Sequence, residues 1–117
     1  MMSRLLILPL VAGLAVAAAP PETEGEGQVL AERRLRACLS ANGAGGQTTF
    51  DGALQAARAA CRPQINALRD VRVIHATAGL EPAAARVVER RVTIALNNEI
   101  AHAVADFSGM PVPHAHH

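Results

Sequence analysis

Lysine, tryptophan and tyrosine are absent from this 117-residue chain, and Phe50 and Phe107 are its only aromatic residues. With so few rings, stacking against bases or sugars is nearly unavailable. The core has to be built from alanine, valine, leucine and isoleucine, which makes it thin. A charge surplus is missing as well: all 11 basic residues are arginine, set against 10 acidic ones. Binding to nucleic acid relies on a basic excess that neutralises phosphates, so nucleic acid is not an expected partner. Attraction to anionic lipid needs basic clusters and is disfavoured on the same ground. Beyond the first 19 residues no segment is apolar enough to cross a bilayer.

What is present begins with a leader. Met1-Met2-Ser3-Arg4 carries one positive charge, and the chain then runs apolar from Leu5 to Ala19. A charged start, an apolar stretch and small residues are the layout of a secretory signal peptide. Ala15-Val16-Ala17 fits the small-x-small cleavage rule and predicts a signal peptide over 1–17, with a cut after Ala18 as an alternative. The apolar run of about 15 residues contains Pro9, whereas a spanning helix needs roughly 20. An uncleaved N-terminal anchor is the competing reading. Removal of Arg4 with the leader leaves ten basic and ten acidic residues. Alanine-heavy, lysine-free composition is common in high-GC coding sequence. Together with the leader it points to a periplasmic or secreted location, with no stable membrane span after cleavage.

Export changes how Cys38 and Cys61 read. They are the only two cysteines, and outside the reducing cytoplasm an even number tends to pair. A Cys38–Cys61 disulfide is expected, and its stabilisation is about 3 kcal/mol in the chain-entropy account. Their spacing is not the C-x-x-C of a redox enzyme. Between them lies Asn42-Gly43-Ala44-Gly45-Gly46, a break that separates two helices.

Residues 18–27 are rich in proline, glycine and glutamate, which predicts a disordered acidic linker. A first helix is expected from about Gln28 to Ala41, with Ala31, Leu35, Cys38 and Leu39 on its apolar stripe. Glu32 and Arg36 stand four apart in the favourable order for an ion pair. Gly43 is expected to end this helix in the left-handed conformation. Thr48 or Thr49 then caps a second helix striped by Phe50, Leu54, Ala57 and Cys61. Apolar spacing runs on through Ile65 and Leu68, which predicts one helix kinked at Pro63 and continuing to about His75, rather than a fresh helix opened by that proline. Gly79 should close it, with Leu80 folding back. Glu81-Pro82 opens a long helix to about Phe107. Its apolar residues include Val88, Val92, Leu96, Ile100, Val104 and Phe107, and Val87, Ile94 and Ala101 broaden the face. So wide a surface predicts contact on more than one side.

Few constellations offer chemistry. His114, His116 and His117 can hold a transition metal, but a tail over 108–117 lacks the supporting shell that orients ligands. No serine or threonine sits in a nucleophile motif, and no glycine-rich phosphate loop follows a strand. Asn97-Asn98-Glu99 interrupts the long apolar helix and is expected to face solvent, because glutamate is rarely buried unpaired. The arginines are interleaved with acids along every helix, so a solvated face is the default reading.

The sequence therefore predicts an all-α fold: a small bundle of three helices over 28–107, the second kinked at Pro63, stapled by Cys38–Cys61, after a cleaved signal peptide. It predicts no enzyme and no cofactor. The expected role is protein–protein contact in the periplasm, with an unknown partner or by self-association through the 82–107 helix. Weak transition-metal binding by His114, His116 and His117 is the alternative.

Overall fold

The computed structural model describes residues 24–43 and 46–112. The signal peptide, most of the expected linker and the histidines of the tail lie outside these residues. The described residues are helical, with no strand among them: α1 spans Glu24–Asn42, α2 Phe50–Ala60, α3 Arg62–Thr77 and α4 Pro82–Ser108.

Four helices replace the expected three. Cys61 leaves the helical region, with φ −109° and ψ 18°, and Arg62 and Pro63 open α3. The cause is Pro63, whose ring crowds the carbonyl of Ala59 and whose nitrogen has no hydrogen to donate to it. The interruption is one residue wide. Cys61 N–H still donates to the Ala57 carbonyl at 2.9 Å, and Ile65 N–H donates to the Cys61 carbonyl at 2.9 Å. The apolar stripe carries straight across, which is why periodicity alone suggested a single kinked helix.

α1 also begins earlier than expected, at Glu24, inside the stretch assigned to the acidic linker. Glu26 stands in its first turn, where the positive end of the helix dipole favours an acid. At its other end Gly43 is not left-handed; positive φ occurs at Gly46, Gly79 and Gly109. What Gly43 supplies is room. A Cβ there would lie 2.8 Å from the Leu39 carbonyl oxygen and 3.2 Å from Cβ of Phe107. α2 starts as its sequence suggests, with the Thr49 hydroxyl accepting from the Gly52 N–H at 3.0 Å. Gly79 and Gly109 close α3 and α4 with φ near 80°. Leu80 N–H turns back to donate to the Thr77 carbonyl at 3.0 Å, while its side chain stays exposed.

Cys38 and Cys61 are bonded, with their Cα atoms 5.9 Å apart. Asn42 Nδ2 donates to the Cys38 carbonyl at 2.8 Å beside them. Two cross-links fix the chain directions. Glu32 meets Arg72 while Cys38 meets Cys61, so α1 and α3 run antiparallel. A short turn reverses α3 into α4, which makes α1 and α4 parallel. α1 packs most extensively on α3, and α3 next on α4. The core holds Leu35 and Leu39 of α1, Ala53 and Ala57 of α2, Ile65 and Leu68 of α3, and Leu96, Ile100 and Val104 of α4, with Cys61 at the centre. Each large aliphatic side chain shut from water contributes about 1.5–3 kcal/mol. With so few of them, the staple carries a large share of stability.

Candidate contact surface

Burial is confined to one end. Toward the other end the last buried residues are Leu35 in α1, Leu68 in α3 and Leu96 in α4. Beyond them the helices continue, with Ile74 68% exposed, Ile94 60% and Val87 38%. Val29 and Leu80 at the same end are exposed too.

A charged clasp marks the boundary. Arg72 Nη1 donates to Glu99 Oε2 at 2.9 Å, and its Nη2 donates to Glu32 Oε2 at 2.9 Å. One arginine on α3 thereby joins α4 and α1, a turn past Leu68. Burial opposes the Arg72 charge, but the hydrogen bonds to Glu99 and Glu32 outweigh it and strengthen its hold on its proton. Hydrogen bonds from Arg72, and then from Gln28, keep Glu32 below the ordinary glutamate range. The expected Glu32–Arg36 pair is replaced by this clasp. Arg36 instead lies over the Phe107 ring, 5.6 Å from its centroid. Arg72 went unmarked in the sequence, since nothing in its spacing separates it from the other arginines.

α4 has two apolar faces. Leu96, Ile100, Ala103 and Val104 point into the core. At 100° per residue, Ile94 and Val87 lie about 160° and 180° round the helix from Leu96. They form a back stripe that the rest of the bundle leaves uncovered, and Ala101 continues it half-buried. Arg90 and Arg91, both exposed, stand on either side of it. Among the described residues neither makes an ion pair. A groove of about 450 Å³ runs between α1 and α4, floored by Leu35, Leu39, Ile100 and Ala103 and rimmed by Arg33 and Arg36.

Of the residues singled out in the sequence, Cys38 and Cys61 are brought together. His114, His116 and His117 lie outside the described residues, among which no group of three metal-ligating side chains occurs. Asn97, Asn98 and Glu99 all face solvent, as expected. Asn97 accepts from Arg58 and Glu99 from Arg72. No described helix is long and apolar enough to cross a membrane.

No protein-family profile, no curated protein and no solved structure matches this chain.

Proposed function

We propose that this chain is an exported, non-enzymatic helical protein that acts by contact with another protein in the periplasm, through the back stripe of α4. The observation that carries this reading is the pair Val87 and Ile94, exposed on the side of α4 opposite its core face. Exposed aliphatic residues aligned along one helix face are the form a helix-in-groove or helix-pairing contact takes. Export is supported by the signal-peptide layout of residues 1–17 and by the paired cysteines, which fit an oxidising compartment.

Charge argues for a different protein over a second copy. An antiparallel pairing centred between Val87 and Ile94 sets Arg90 and Arg91 of one copy against the same arginines of the other. Like charges at that range oppose association. The partner favoured is a helix whose apolar stripe is flanked by aspartate or glutamate.

The test places a photo-crosslinking residue at position 94 in the native cell envelope and identifies the linked peptide by mass spectrometry. The expected result is an acid-flanked helical segment of another protein. Its adduct should vanish in the Arg90→Glu, Arg91→Glu double variant and persist in Arg34→Glu. An adduct of the chain with itself, or one indifferent to Arg90 and Arg91, would overturn the reading.

A further inference from the structure

Three arginines share one cleft, where a solvated face was the default reading of the sequence. Arg58 on α2 and Arg62 and Arg69 on α3 line one cleft against α4, with a volume of about 500 Å³. Their spacings of four and seven residues keep them on one side of the α2–α3 rod, because the break at Cys61 is only one residue wide. No aspartate or glutamate lines the cleft. The nearest acid contact is between Arg69 and its own neighbour Asp70, at 3.7 Å on an exposed pair. Such a contact is worth little. Elsewhere in the protein Arg72 is held by two carboxylates, whereas Arg58 and Arg62 of the cleft have no carboxylate partner among the described residues.

The rest of the lining suits an oxygen-rich ligand. Arg58 Nη1 donates to Asn97 Oδ1 at 3.1 Å across the gap between α2 and α4, which orients that guanidinium. Asn66 and Thr93 add a side-chain amide and a hydroxyl. Neither side chain has a hydrogen-bond partner among the described residues. Ile65 and Leu96, both buried, form the floor.

We propose that this cleft binds the phosphate of a small organic phosphomonoester, free in solution or displayed as a lipid headgroup. Guanidinium forks match phosphate oxygens in pairs, and three of them lining one cleft favour a dianion over a monoanion. The amide and hydroxyl meet the hydroxyl groups of the carrier. Because the cleft has no aromatic platform, the phosphate supplies most of the affinity. The site does not depend on the back stripe of α4.

The experiment titrates the purified, disulfide-bonded chain with glycerol 3-phosphate and, at matched ionic strength, with glycerol and with sodium chloride. Binding is followed through the side-chain amide signals of Asn66 and Asn97. A parallel arm measures cosedimentation with phosphatidylcholine vesicles, with and without phosphatidic acid. The expected result is saturable binding in one arm or both. Arg58→Gln and Arg62→Gln should each weaken it about tenfold, the scale of one lost charge-assisted hydrogen bond. Arg34→Gln, on α1, should leave it unchanged. Saturation only by glycerol 3-phosphate assigns a soluble ligand, and binding only to phosphatidic acid vesicles assigns a lipid. No saturation in either arm, an equal response to glycerol or chloride, or equal weakening by Arg34→Gln overturns the proposal.

Discussion

Around the disulfide, Cys61, Leu68, Ile100 and Val104 are closed off from water, whereas past the Arg72 clasp Ile74, Val87 and Ile94 remain open to it. Both ends are built from the same helices and the same aliphatic residues. What differs is the number of neighbours available to cover them. Near Cys61 all four helices meet; α2 stops at Ala60, so the far end has only α1, α3 and α4. With alanine filling so much of the chain and no large aromatic to span the gap, three helices leave apolar surface uncovered. Burial inside a bundle ends where the layers end, and the surface left apolar there is the one proposed above for contact with a partner.

The contrast can be broken most severely in the core. Leu68→Ala should lower stability by about 2–5 kcal/mol, the range for emptying a packed leucine site. Ile74→Ala, six residues further along the same helix, should stay within about 0.5 kcal/mol, as exposed substitutions do. Urea denaturation of both variants measures this, and similar losses would erase the distinction between the ends.

Removing the staple comes next. The Cys38→Ala, Cys61→Ala double variant frees a loop with a sequence separation of 23 and should cost about 3 kcal/mol. Two glycines then sharpen the comparison at smaller scale. Gly43→Ala drives a methyl into the Leu39 carbonyl and Phe107 and should cost about 1–3 kcal/mol. Gly25→Ala, at the open end, meets nothing within 4 Å and should raise stability by up to about 1 kcal/mol through helix propensity. Thermal melts of the pair should therefore shift in opposite directions.

The smallest effect is that of pH on the clasp. Glu32 is held below its ordinary range in the folded chain by Arg72 and Gln28. A carboxyl whose folded pKa is depressed stabilises the fold above its unfolded pKa, and loses that contribution as pH falls through the folded value. Stability should thus decline on acidification below the ordinary glutamate range. The Glu32 side chain is 42% exposed, so its share stays under about 1 kcal/mol. Glu32→Gln should flatten that part of the acid profile. An unchanged profile would mean that the clasp contributes nothing to folding.

Much of this was legible beforehand because it depends on local rules. The apolar spacing of Leu35 and Leu39, and of Leu96, Ile100 and Val104, placed two helices and their core faces. The cysteine count anticipated the staple, and the Thr48-Thr49 pair the start of α2, where Thr49 proves to be the cap. The break at Cys61 was not legible, since Ile65 and Leu68 keep the helical beat on its far side. Gly43 misled because glycine after a helix usually signals a left-handed turn, and its close approach to Phe107 exists only once α1 and α4 have met. Arg72, and the grouping of Arg58, Arg62 and Arg69, depend on which helix faces which. Eleven arginines spread along a chain carry no mark of that.

Native-state amide hydrogen exchange on the purified chain tests the division of the bundle most directly. The amides of Ile65, Leu68, Ile100 and Val104 should exchange only through global unfolding. Those of Ile74, Val87 and Ile94 should exchange through local opening, faster by more than about a hundredfold. Uniform protection along α3 and α4 would contradict the account, because the end past Arg72 would then be as finished as the end held by Cys38 and Cys61.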